Sequence, residues 1–160
     1  MIKFDISVEN VRQVIQSLKD DNKKMRRVVR KNLWRMCKDV VMESARHAPM
    51  DTGNLRRSRY VSMDSNNTFT PRFSNTRRKG KPYKGRAESM SLEHNKIMRR
   101  AKAWTRISGK DEIRAELGHS AFYAVKQEKD ASLNHDIGQS HFFEQSFYKN
   151  MQPEKLLRGF

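Results

Sequence analysis

The apolar positions change period along the chain, and each change predicts an element. Ile2, Phe4 and Ile6 alternate with polar residues, the two-residue period of a half-buried strand. Ser7 or Asn10 then suits the cap of a short helix with Val11, Val14, Ile15 and Leu18 on one face. Asp20-Asp21-Asn22 is a candidate break, because such side chains compete for backbone amides; a continuous bent helix is the alternative. Over residues 22–48 the helical period is sustained. Met25, Val29, Leu33, Met36 and Val40 fall on one side, with Lys24, Arg27, Lys31, Arg35 and Lys38 opposite. Cys37 lies at the margin of the apolar face, which predicts a small buried hydrophobe rather than a nucleophile.

Pro49 ends that helix, since it lacks a backbone donor and disfavours helical geometry in Ala48. Asp51 and Thr52 are predicted to bond nearby backbone amides, and Gly53 to take positive φ. The stretch is thus a helix-to-strand turn in which Asp51 needs no catalytic role. Residues 55–69 read as extended, with Tyr60, Val61, Met63 and Phe69 inward and Asp64-Ser65-Asn66-Asn67 as a hairpin turn. Residues 71–86 combine Gly and Pro with seven basic residues and few core formers, the composition of a mobile loop or arm. Ser91 suits the cap of a helix through Leu92, Ile97, Met98, Ala101 and Trp104, ended by Ser108-Gly109-Lys110.

Ile113, Ala115 and Leu117 alternate like a strand, and residues 121–125 follow a turn at His119-Ser120. Residues 129–139 form a polar connection. Residues 140–157 read as a last helix with Phe142, Phe143, Phe147 and Met151 at core-compatible spacing. No internal repeat and no second domain is visible. Residues 1–160 therefore read as a single domain, with 70–110 as a basic insertion or arm within it.

Charge changes this picture. The net charge is +16, and it is uneven: residues 23–38 carry +8, residues 70–110 carry +11, and the remainder is mildly acidic. Such a field attracts polyanions, so nucleic acid or an acidic protein surface is the expected partner. The candidate contacts are Lys24, Arg27, Lys31 and Arg35 on the helix, and Lys79, Lys81, Lys84 and Arg86 in the insertion. A solvated face is the plain alternative for the helix stripe. Tyr83 and Trp104 lie among basic residues, where base stacking is chemically possible, but helical spacing makes Trp104 a core residue first.

The single cysteine excludes an intramolecular disulfide and a Cys-based zinc site, and it fits a reducing compartment. No apolar run approaches the roughly 18 residues that span a bilayer, and the alternating start is no signal peptide. A soluble protein made in a cytoplasm, with no membrane partner, is expected. His135, Asp136 and His141, or Glu93-His94-Asn95, are the metal or nuclease candidates. The first set lacks one-turn spacing and the second lacks companion ligands. No nucleotide-binding loop or nucleophile elbow is present. No catalytic, cofactor-binding or metal residue is therefore predicted, and no cofactor.

Ala48-Pro49-Met50-Asp51-Thr52-Gly53-Asn54-Leu55 resembles the alanine–proline–x–aspartate–threonine–glycine–x–leucine signature of tail-completion proteins. These are small head–tail joining, or neck, proteins of long-tailed bacteriophages, including the minor tail protein Z type. A second pattern of that family, a strand ending in glycine, then tyrosine–alanine, then a glutamate, is matched by Gly118, Tyr123, Ala124 and Glu128. Three departures stand out. Lys129-Asp130 follows the glutamate where the family has phenylalanine–glycine–threonine, His141 replaces the usual proline, and residues 70–110 look like an insertion.

The resemblance implies an α+β fold: a long N-terminal helix packed across a small antiparallel β-sheet, with a C-terminal helix. It implies no enzyme, but a structural virion protein in a ring around the DNA channel, six- or twelve-fold. The partners it implies are further copies, head-completion or connector proteins, tail terminator or tube proteins, and the channel DNA. The location is the virion, at the head–tail junction or tail end, with the host cytoplasm during assembly. A freestanding basic DNA-binding protein and a metal-dependent nuclease are the competing readings.

Overall fold

A computed structural model describes residues 8–63, 66–68, 71–106 and 113–159. The expected N-terminal strand, Asp64-Ser65, Phe69 and the helix stop at residues 108–110 lie outside the described residues, as do the side chains of Val11, Val14, Ile15 and Leu18. In chain order the elements are α1 (Val8–His47), α2 (Asn54–Arg57), β1 (Arg59–Met63), β2 (Asn66–Thr68), α3 (Arg86–Arg106), β3 (Ala115–His119), α4 (Ala124–Lys129) and α5 (Phe142–Asn150). The fold is α+β, with a long N-terminal helix, an antiparallel sheet and a C-terminal helix. No described helix is long and apolar enough to cross a membrane.

α1 runs through Asp20-Asp21-Asn22 without a break. The Asp20 carboxylate takes Gln16 Nε2 one turn back, at 3.1 and 3.2 Å, and faces Lys23 Nζ at 3.6 Å, so it is engaged by side chains. The chain divides into two compact units, Met1–Leu33 with Pro153–Phe160 and Trp34–Gln152. In the smaller unit, Asn32 Nδ2 donates to the carbonyls of Leu156 and Arg158, at 2.9 and 3.0 Å. The apolar face of α1 is buried from Met36 onward, through Cys37, Val40, Val41, Ala45 and Ala48, while Met25 is exposed. Cys37 is fully buried and burial pushes its thiol up to about 12, as expected of an inert hydrophobe.

In the larger unit the strand order is β2-β1-β3, both pairings antiparallel, with Val61 opposite Leu117 on one side and Thr68 on the other. Asn66 and Asn67 are strand residues, so they are not part of the hairpin turn. α1 reaches the sheet through Ser44 Oγ, 2.9 Å from His119 Nε2. It reaches α5 through Glu43, which accepts from Lys149 and, at 2.9 Å, from Asn150.

α3 packs on β1, burying Met90, His94, Met98, Ala101 and Thr105 at i+4 and i+3 spacing. Residues 86–106 of the basic segment are therefore packed into the fold as a helix. α3 begins before Ser91, whose Oγ instead donates back to the Ala87 carbonyl at 2.8 Å. Trp104 falls off the buried stripe: it is 45% exposed, with the Arg114 guanidinium 5.4 Å above its ring, and so is not the core residue its spacing suggests. α5 stops at Asn150, short of the expected Leu157, since Pro153 cannot continue a helix and disfavours helical geometry in Gln152.

Candidate functional site: the turn and the cleft beside it

The last α1 bond, Ala48 N to Ser44 O, spans 2.8 Å; the Ala48 carbonyl, left without a helical donor beyond Pro49, accepts Arg56 Nε at 2.8 Å. Thr52 Oγ1 accepts the Asn54 amide at 3.1 Å and Gly53 has φ +74°, both as the turn chemistry predicts. Leu55 departs from its expected extended form. It lies in α2, and Ser58 Oγ caps its carbonyl at 2.7 Å.

Asp51 differs as well. Its carboxylate faces Arg77 Nε at 3.2 Å, and among the described residues it is its backbone oxygen that meets an amide, that of Arg78 at 2.8 Å. The partner comes from residues 71–85, which are pinned rather than free. Asn54, fully buried, donates to Ser74 O at 2.7 Å and accepts from Ser74 N at 2.8 Å; Asn75 Oδ1 then accepts the Ala87 amide at the start of α3, at 2.8 Å. A buried side-chain amide has to be satisfied, and here it is satisfied by the segment it holds.

The turn is also clamped from the far end of the chain. Met50 N donates to Ile137 O at 3.0 Å and Gln139 N to His47 O at 2.9 Å. Between those bonds sits Gly138, with φ +97°; a Cβ there would lie 2.6 Å from Ala48 C, Ala48 O and Pro49 Cα.

The second pattern meets the first in one core. Ala48, Leu55 and Ala124 are buried together with Met90, Ala121 and Phe142, and Tyr123 packs against them. Burial pushes the Tyr123 phenol up, against the pull of Arg86 and of a hydrogen bond to Thr52. Gly118 lies opposite Tyr60, but a Cβ there would make ordinary contact at 3.6 Å, so nothing steric requires glycine. Glu128 has a clear task. Its two oxygens accept the Phe143 and Glu144 amides, at 3.0 and 2.8 Å, and so cap the N-terminus of α5 with negative charge.

Beside Glu128 the sequence offers no hint of His119. Its Nδ1 is 2.8 Å from the Leu55 carbonyl, which requires a donor there, and its Nε2 lies 2.9 Å from Ser44 Oγ. Burial depresses its pKa to about 4. This histidine joins α1, α2 and β3, with Phe142 edge-on at 5.4 Å.

The turn residues 49–53 form one wall of a cleft of about 460 Å³. Arg77, Arg78, Lys79 and Arg86 supply its cations, and Tyr83, Tyr123 and residues 134–137 complete it. Of the candidate contact residues, Lys79 and Arg86 line the cleft. Lys81 and Lys84 are exposed outside its lining, and Lys24, Arg27, Lys31 and Arg35 are exposed along α1. Asp136 accepts Lys79 Nζ at 2.6 Å and faces Arg78 Nη1 at 3.5 Å; the Lys79 bond holds its carboxyl below the usual range.

Of the His135, Asp136 and His141 set, Asp136 pairs with Lys79 and Arg78, while His141 lies close to other carboxylates. Among the described residues, Glu128, His141 and Glu144 do bring ligand atoms within 4.8 Å of one another, but both Glu128 oxygens already accept α5 amides. His94 of the Glu93-His94-Asn95 candidate is buried, with Nδ1 2.7 Å from Ser120 Oγ, and burial lowers its pKa.

No protein-family model, curated protein or solved structure matches the chain.

Proposed function

We propose that the chain is a structural virion protein of the phage neck, a tail-completion or head–tail joining subunit that forms a ring around the DNA channel. The observation that carries the reading is the turn. Pro49, Thr52, Gly53 and Leu55 set the angle at which the chain leaves α1, and Ala124 and Tyr123 of the second pattern pack on the same core. Both patterns that resemble the family therefore act as one structural joint. A ring needs heterologous contacts that close by rotation, so a fixed subunit shape suits the role.

Two measurements test it. Particles lacking the protein, viewed by electron microscopy, should contain heads and tails that fail to join; normal joined particles refute the reading. Purified protein examined by native mass spectrometry should include closed six- or twelve-fold species.

The exposed row of Lys24, Arg27, Lys31 and Arg35 on α1 favours a second reading, a freestanding DNA-binding protein. That reading requires duplex affinity that falls steeply with salt and that drops when Lys24, Arg27, Lys31 and Arg35 are neutralised together with Lys79, Lys81, Lys84 and Arg86. Unchanged affinity at low salt in the neutralised variant removes it.

A further inference from the structure

The geometry points to the cleft beside the turn as a receptor for the carboxylate of an acidic peptide segment, with Arg86 as the group that pairs with it. The inference rests on the reading of the chain as an assembling subunit, and names the chemistry of one contact such a subunit makes.

Arg86 is held by rings. Its guanidinium lies 4.4 Å from the Tyr83 ring, 4.8 Å from Tyr123 and 5.6 Å from Phe122. Its Nε is buried without a hydrogen-bond partner, and no carboxylate among the described residues pairs with it. The other three cations differ: Arg77 faces Asp51, while Arg78 and Lys79 share Asp136. A planar guanidinium oriented by aromatic faces is pre-organised for the two oxygens of a carboxylate. A second unsatisfied group, the buried Nε2 of His135, lines the same cleft.

Charge and shape select the ligand class. A nucleic-acid backbone needs a track of unpaired cations, one for each phosphate. Here Asp51 engages Arg77 and Asp136 engages Arg78 and Lys79, which leaves Arg86 as a single cation with no carboxylate among the described residues, a match for one anionic group rather than for a row of phosphates. A volume of about 460 Å³ admits a side chain and its flanking residues but no duplex. Pro49, Met50 and Ile137 add apolar wall, which suits an acidic residue with apolar neighbours.

The probe is a fluorescein-labelled hexapeptide alternating leucine with glutamate, followed by anisotropy with the full chain. Its glutamine counterpart should bind about tenfold or more weakly, the scale of losing a charge-assisted hydrogen bond. Arg86→Gln should lose about as much, and Arg86→Lys, which keeps the charge without the planar fork, should recover only part. Asn134→Trp, which adds bulk at an exposed lining residue that is not part of the Arg86 stack, keeps the test valid if Arg86→Gln fails to fold. Lys96→Gln/Arg99→Gln on α3, away from the cleft, should stay within about twofold. Three results overturn the proposal: no peptide binding, equal loss in the α3 double variant, or displacement of the peptide by inorganic phosphate or a single-stranded oligonucleotide at equal concentration. Ring formation is read on the same samples. A chain that assembles but ignores the peptide refutes the cleft alone, and a chain that binds the peptide but never assembles refutes the neck reading alone.

Discussion

Among the described glycines, Gly138 is the one whose replacement by alanine should destabilise the larger unit most. Two costs combine. At φ +97° an L-residue is strained, and the left-handed region alone costs about 1–2 kcal/mol. The new Cβ would also sit 2.6 Å from the backbone of Ala48 and Pro49, which cannot rotate away as a side chain can. Relief requires moving residues 137–139 off the turn, which strains the Met50–Ile137 and Gln139–His47 bonds; overpacking of this kind costs about 1–3 kcal/mol.

The expected loss is about 2–5 kcal/mol, or a fall in Tm of about 4–20 °C. Gly53→Ala is the internal comparison. Its φ of +74° carries the strain, but a Cβ there would meet nothing closer than the Arg57 side chain at 3.8 Å, so about 1–2 kcal/mol is expected. Urea denaturation followed by tryptophan fluorescence suits the question, because Trp34 and Trp104 both belong to the larger unit. A Gly138→Ala protein within about 0.5 kcal/mol of wild type, or less affected than Gly53→Ala, would refute the clash.

Three further outcomes follow from named contacts. His119 has a folded pKa of about 4 against an ordinary 6.5, so the unfolded chain binds the extra proton; its contribution is complete above pH 6.5 and is lost as pH falls toward 4. Between pH 7.5 and 5.0 the loss should be about 2 kcal/mol, before the carboxylates titrate; equal urea midpoints at the two pH values would show the ring is not held neutral. Glu128→Ala should cost about 1–2 kcal/mol and fray α5, read as hydrogen exchange at the Phe143 and Glu144 amides; unchanged protection there would remove the cap. The Cys37 thiol should stay unlabelled by a disulfide reagent at pH 8 in the native chain and react fully in urea; rapid native labelling would contradict its burial.

Local chemistry along the chain sets part of this fold. A sustained 3.6-residue period marked α1 from Asn22 onward and placed its cations outward, Pro49 stopped it, and Gly53 took the positive φ its neighbours require. These depend on residues within a turn or two of one another.

The rest depends on partners far along the chain. Asp51 binds a guanidinium only because Asn54 draws Ser74, and with it Arg77, against the turn. Residues 71–85 have the composition of a loose arm, and nothing local reveals that a buried amide pins them. Trp104 and Met98 share an apolar pattern, yet the position of β1 under α3 buries one and leaves the other exposed. Gly138 reads as one glycine in a polar connection until the backbone of Ala48 is set against it. The cleft, too, is made by the turn, residues 77–86 and residues 134–137 meeting in space, so its one aromatic-held, unpaired arginine could not be told from its paired neighbours in the basic run.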